Sequence, residues 1–309
     1  MQKTLMANNM RLAYDEFGAP EHPAMLLVMG LGTQMIAWPT SFCEDLASQG
    51  FRVIRFDNRD IGLSEKVEVK RPVSLPKILI KAKLGLSISV PYTLRDMALD
   101  AIGVLDALNI EAAHWVGVSM GGMIAQLVAA EYPSRCLSLT SIMSSSGNPS
   151  VKGPSLSVIR LLMKSPSHES EEKYLADSMT KWAALGSPDY PPTKEDLSER
   201  ILASLRRSYY PKGYVHQLAA IIENGDRRAI LRKIRVPTLV IHGQADVLIP
   251  VEGGIDTANN IKDCNLKIIQ GMGHDLPKEL LPRLARYICR HIEESAQSDK
   301  FVTKKQKLS

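Results

Sequence analysis

The chain is short of several features that usually mark a function. Cysteine occurs only four times in 309 residues, as Cys43, Cys136, Cys264 and Cys289. No two of them form a C-x-x-C pair, so neither a zinc site nor a dithiol redox centre is indicated. Neither sign of charge dominates: the net charge of +5 is mild, and no RNA- or DNA-binding signature accompanies it, which excludes nucleic acid as the expected partner. No apolar run is long enough to span a bilayer, so no integral membrane segment is expected. Residues 1–9 lack the sustained apolar stretch of a secretory signal. Phosphate-binding loops, metal-ligand clusters and internal repeats are also missing. These absences leave, as the expectation, a cytoplasmic protein with reduced thiols.

What the chain does have is an ordered alternation. Residues 2–17 read as two short strands around Asn8-Asn9. Residues 24–29 are a continuous apolar run between Pro23 and Gly30, as in a strand buried on both faces. A helical pattern over 38–49 stops at Gly50, and 51–56 is again a strand. Thr93 caps a helix through Leu108 with Leu94, Met97, Ala98, Ile102 and Leu105 on one face. Strands at 112–116 and 136–143 follow, with a buried helix between them. Strand, helix, strand in this order predicts an α/β fold with a mostly parallel, doubly wound sheet. Ligands of such sheets bind at the carboxyl ends of the strands.

The alternation stops near residue 150. From there to 233 the patterns are helical, with proline breaks at Pro188, Pro191-Pro192 and Pro211. The sheet resumes with a strand at 237–243, a helix near 251–261, a strand at 266–269 and a last helix at 276–294. Core segments 1–149 and 234–294 are therefore expected around a helical cap over 150–233, followed by a disordered, lysine-rich tail at 295–309. Residues 66–91 hold six basic residues against one acid, Glu68, with leucines and isoleucines interleaved. They are expected to join the cap as a lid. A membrane-surface patch and a disordered loop are the competing readings.

One stretch carries chemistry. Gly117-Val118-Ser119-Met120-Gly121 is a G-x-S-x-G pattern between a strand and a helix, the context of a nucleophile elbow. The turn is too sharp for side chains at its glycines, and it leaves Ser119 at a helix N-terminus. A serine hydroxyl needs a base, and the base needs an orienting carboxylate. Of the seven histidines, His274 follows the strand 266–269 on a glycine-lined loop at the ligand edge. His22, His114, His168, His216 and His291 fall elsewhere, and His242, at a strand end, reads as a core residue. Asp246 is the first acid after the strand 238–242, with Asp275 as the reserve. Backbone N–H groups of Leu31 and Met120 are placed to hold an oxyanion. Trp38, Met35 and Met143 are candidate pocket residues, although core packing explains them equally well. Asp57 and Arg59 read as ties for the loop after strand 51–56.

These segments together resemble the α/β-hydrolase superfamily over residues 1–294. Leu27-Val28-Met29-Gly30-Leu31-Gly32 is similar to its oxyanion segment. Residues 57–64 resemble its D-x-R-G-x-G-x-S segment, with Asp60 and Ile61 departing from the glycine spacing. Val116 to Gly122, Gly243-Gln244-Ala245-Asp246 and Gly271-Met272-Gly273-His274 resemble its three catalytic segments. The nearest resemblance is to the esterase branch that includes aclacinomycin methylesterase, which shares V-M-G at the oxyanion segment. It implies hydrolysis of a small-molecule carboxylic ester through an acyl-enzyme, without a cofactor or metal. Perhydrolase or haloperoxidase-like chemistry would use the same three residues. Proline iminopeptidase-like cleavage would need an acidic anchor, for which Glu169, Glu171, Glu172 and Asp177 are available. A ligand receptor on the same fold is the reading from outside enzymes. Epoxide hydrolases and haloalkane dehalogenases carry Asp where Ser119 stands.

Overall fold

A computed structural model of the chain describes residues 3–163 and 169–306, with side chains as far as 297; His168 lies outside the described residues. The strands are β1 Lys3–Ala7, β2 Met10–Phe17, β3 Ala24–Val28, β4 Arg52–Phe56, β5 Ala113–Val118, β6 Cys136–Ile142, β7 Thr238–Gly243 and β8 Asn265–Ile269. They form one sheet in the order β1-β2-β4-β3-β5-β6-β7-β8. The β1–β2 and β2–β4 pairs are antiparallel, and all the others are parallel. Asn8 and Asn9 both take positive φ, as a two-residue hairpin turn between right-twisted strands demands.

Helices α1 Thr40–Ser48, α2 Leu75–Lys83, α3 Leu94–Ala107 and α4 Met120–Glu131 fall in the first half. Next come α5 Leu156–Met163, α6 Glu171–Leu185, α7 Lys194–Arg207, α8 Pro211–Asn224 and α9 Arg228–Leu231. The last two are α10 Val251–Asn259 and α11 Leu281–Gln306. Strand β3 shows why there are two layers of them. All five of its residues are buried. Leu26 and Val28 pack with α3 and α4, while Met25 and Leu27 pack on the other face with α1 and α11. Alternate side chains of a strand point to opposite faces, so an unbroken apolar run needs cover on both. Helix α3 starts at a reciprocal cap: Thr93 Oγ1 accepts from Asp96 N at 3.2 Å, and Asp96 Oδ2 accepts from Thr93 N at 2.7 Å.

Helices α5 to α9 occupy the stretch between β6 and β7, and no strand interrupts them among the described residues. Long side chains tie this insertion to loops at the carboxyl edge. Arg207 donates to Asp57 Oδ2 and to Gln34 Oε1, each at 2.6 Å. Gln34 Nε2 donates to the Ser204 and Ser208 carbonyls at 2.7 and 2.9 Å. Gln217 accepts from Gly32 N at 2.8 Å and donates to the Arg59 carbonyl at 3.0 Å. Within 66–91 the structure forms α2, whose Leu75 and Ile78 pack with Ala219 of α8.

The end of the chain differs from the sequence reading. Helix α11 continues through Gln306, where a disordered tail was expected beyond 294. Polarity alone does not end a helix: residues 295–306 contain no Gly or Pro and include three Lys and two Gln, which favour helix.

The loop after β4 is anchored below the insertion by a buried ion pair. Arg59 Nε and Nη2 donate to the two Asp100 oxygens at 2.5 and 2.6 Å, and Asn8 Nδ2 adds a bond to Asp100 at 2.9 Å. The Arg59 guanidinium also lies 5.0 Å from the Tyr92 ring centroid. Arg59→Met leaves the Asp100 carboxylate buried without its partner and should lower unfolding free energy by about 3–5 kcal/mol. Arg59→Met with Asp100→Leu should recover most of that loss. Urea unfolding of the three proteins checks both values; a cost below about 1 kcal/mol would make the pair merely surface-like.

Candidate active site

The elbow depends on three backbone segments lying in contact. A Cβ at Gly117 would collide with the Gly121 carbonyl, and one at Gly121 with the Val28 carbonyl. Strand β5, helix α4 and strand β3 thus touch where only hydrogen fits. Ser119 sits at the apex with φ 54° and ψ −119°, a conformation that side chains rarely adopt. Three bonds hold it there: Ser119 N donates to the Ile142 carbonyl at 2.9 Å, and the Ser119 carbonyl accepts from Ser144 Oγ at 2.8 Å and from Met123 N at 3.2 Å.

His274 reaches this apex from the loop after β8. Its Nε2 lies 3.0 Å from Ser119 Oγ, and its Nδ1 lies 2.7 Å from Asp246 Oδ2. A carboxylate only accepts, so Nδ1 donates and Nε2 is left to accept from the serine. Asp246 is fixed in turn: its Oδ1 accepts from Leu248 N at 2.9 Å and Ile249 N at 2.8 Å. Burial alone would raise the Asp246 carboxyl. The charge of His274 and the hydrogen bonds from His242 and His274 outweigh it and hold the group well below the usual carboxylate range. Asp275 is engaged elsewhere, accepting from Ser187 Oγ at 2.5 Å. Its burial raises the carboxyl, against the Ser187 bond.

The His274 loop is also held by the insertion. His274 N donates to the Leu185 carbonyl at 2.8 Å, and Gly273 N to Ser187 Oγ at 2.8 Å. A Cβ at Gly273 would meet the Gly186 carbonyl, so the C-terminal end of α6 lies directly on the loop.

Gly30 brings the loop after β3 beside the serine: a Cβ on it would lie 3.2 Å from Ser119 Cβ. Leu31 follows, and Met120 opens α4. Trp38 and Met143 are buried with Val118, Leu27 and Phe42 in one core cluster. Trp38 stacks on Phe42 at 5.7 Å between centroids. Met35 is buried as well, and its N–H donates to Asp57 Oδ1 at 2.8 Å.

The sequence model of the α/β hydrolase fold matches residues 23–184. The chain is 29% identical to rhodomycin D methylesterase DnrP of Streptomyces peucetius, over 89% of this chain and 92% of that one. It is 30% identical, with the same coverage, to rhodomycin D methylesterase DauP of Streptomyces sp. strain C5. The chain belongs to the α/β-hydrolase family. Among solved structures, the enol-lactonase from Burkholderia xenovorans LB400 superposes with a TM-score of 0.72 at 21% identity, covering 94% of this chain and all of that one. The meta-cleavage product hydrolase CumD from Pseudomonas fluorescens IP01 gives 0.74 at 19%, over 94% and 97%. Both report on the fold.

Two residues of this α/β-hydrolase do more than its sequence indicated. Asp60, where glycine spacing was expected, takes φ 70°, a conformation Asp tolerates. Its carboxylate then accepts from Val67 N at 2.6 Å, Tyr92 Oη at 2.8 Å and His216 Nδ1 at 2.8 Å, joining its own loop, the segment leading into α3 and the insertion. His242 is buried, as a core residue would be, yet its Nε2 donates to the Ile249 carbonyl at 2.7 Å and lies 3.5 Å from Asp246 Oδ2. It clasps the two ends of the Asp246 loop. The spacing of four between His242 and Asp246 was the available signal.

The depressed Asp246 carboxyl has a pH consequence. The stability it contributes is fully present above its unfolded value of about 3.9 and is lost as pH falls through the lower folded value. The advantage of the native protein over Asp246→Asn in urea midpoint should therefore stay level from pH 7 to about 5 and shrink only below about pH 4. A gap that closes near neutral pH would show that the carboxylate is not held low.

Proposed function

We propose that the chain is a serine carboxylic ester hydrolase. The observation that carries this is the unbroken relay from Asp246 through His274 to Ser119 Oγ at the apex of the elbow. Ser119 Oγ attacks the ester carbonyl while its proton passes to His274 Nε2. Asp246 keeps Nδ1–H aligned and offsets the charge that appears on the ring. The Leu31 and Met120 N–H groups receive the oxyanion. Collapse of the tetrahedral adduct expels the alcohol, which takes the proton back from Nε2. Water, deprotonated by His274, then cleaves the acyl-enzyme, releases the acid and restores Ser119.

The two rhodomycin D methylesterases support a methyl ester as the substrate class. The insertion 150–233 acts as the cap over this site, joined by 66–91, a division supported by the Arg207, Gln34 and Gln217 ties. Trp38, Met35 and Met143 are buried, so their proposed part in an acyl pocket is to back it from the core. Three of the four acids an iminopeptidase could use as an anchor favour the ester reading instead: Glu169 and Glu171 pair with Lys173 and Arg206, and Glu172 is exposed, which leaves Asp177 of α6 as the one half-buried candidate.

Ser119→Ala should keep its fold and lose at least about 10³-fold in kcat on a nitrophenyl ester. Asp246→Asn should lose far more than Asp275→Asn. A panel of methyl esters, longer alkyl esters, a lactone and an aminoacyl amide is expected to favour the methyl esters. Full esterase turnover in folded Ser119→Ala would end the assignment, and turnover confined to the amide would replace it.

A further inference from the structure

Helix α2 has an outer face for which the ester chemistry has no use. Only Leu75 and Ile78 reach inward, to the apolar surface of α8. Leu79 and Ile80 point to solvent at 50% and 60% exposure, and Leu84 and Leu86, just past the helix, at 65% and 53%. Scattered exposed leucines are ordinary on a protein surface. Four large apolar side chains within eight residues form a patch, and patches of this kind mark contact surfaces. Lys77, Lys81 and Lys83 are exposed among them, and Lys70 and Arg71 lie just before. The single acid in 66–91 is Glu68. Helix α5, which meets α8 through Tyr214 Oη and the Leu162 carbonyl at 3.4 Å, exposes Leu156, Ile159 and Met163 and carries Arg160.

We propose that α2 and the turn at 84–86 dock this protein on an anionic lipid surface. Short helices with leucines and lysines interleaved settle at the boundary of headgroups and acyl chains, apolar side chains down and ammonium groups on the anionic heads. Charge complementarity selects this occupant. A second copy of the chain meeting the patch across a twofold axis would set lysine against lysine. No helix among the described residues is long and apolar enough to cross a membrane, so the contact is peripheral and reversible.

The test is co-sedimentation of the full chain with vesicles of phosphatidylcholine alone and of phosphatidylcholine mixed with phosphatidylserine. The mixed vesicles should bind at least about tenfold more tightly, and the difference should collapse in high salt. Lys77→Gln/Lys81→Gln/Lys83→Gln and Leu79→Ser/Ile80→Ser/Leu84→Ser/Leu86→Ser should each weaken binding to mixed vesicles by at least about tenfold. Both leave Leu75 and Ile78 in place, so both should melt near the wild-type temperature; the salt titration of the unaltered protein stands if either fails to fold. Absence of vesicle binding, or equal binding to both compositions, overturns the proposal. So does a concentration-dependent dimer that the leucine variant abolishes in a protein that ignores vesicles. Retention on a polyanionic protein without vesicle binding overturns it in favour of an acidic partner.

Discussion

Everything at the candidate site hangs on the contact of three backbones at Gly117, Gly121 and Val28. A methyl group at either glycine would occupy space already held by a carbonyl. Strand β5 therefore cannot end, nor α4 begin, anywhere else relative to β3. That contact holds Ser119 in a backbone conformation that costs on the order of 1–3 kcal/mol. The cost is borne by the surrounding core, where β3 is buried on both faces. The same contact sets the loop after β3 alongside the serine, so Ser119 and the proposed oxyanion donors are placed by one packing event.

The remaining groups arrive by the logic of a parallel sheet. Strands β7 and β8 run parallel to β5 and end on the same edge. The loops that follow them deliver Asp246 and His274 across distances that no local interaction could span. Each loop is then fastened from outside the relay: the Asp246 loop by His242 and the Ile249 carbonyl, the His274 loop by Leu185 and Ser187. The rigidity of the relay comes from these outer bonds, because a hydrogen-bonded chain is only as well aligned as the groups that aim it.

The sheet, the elbow and the two side chains that meet at it, Asp246 and His274, were legible in the sequence because each leaves a local trace. An unbroken apolar run marks β3 and apolar-rich stretches mark β4 to β7, paired glycines mark the elbow, and Asp246 and His274 stand in the loops that follow strand ends. What stayed hidden depends on partners far apart in the chain. Arg59 meets Asp100 forty-one residues on, and Arg207 meets Asp57 across 150. The use of Asp60 as both a left-handed turn residue and a three-way acceptor needed Tyr92 and His216 in place before it could be seen. Within 66–91, read as a lid segment, helix α2 itself stayed hidden, since a nine-residue amphipathic helix docked by two side chains leaves too weak a period. The extension of α11 was missed because polarity was taken for disorder.

The grip of α6 on the His274 loop has a kinetic consequence. Helix and imidazole are geared together: Gly186 cannot lift away from Gly273 without breaking the bond from His274 N to the Leu185 carbonyl. A ligand that wedges the insertion upward at this end swings His274 out of line with Ser119. Under the proposed chemistry, ill-fitting substrates would still be admitted and held, yet they would react slowly. Selection among esters would then fall on the rate of the bound complex more than on the affinity that forms it.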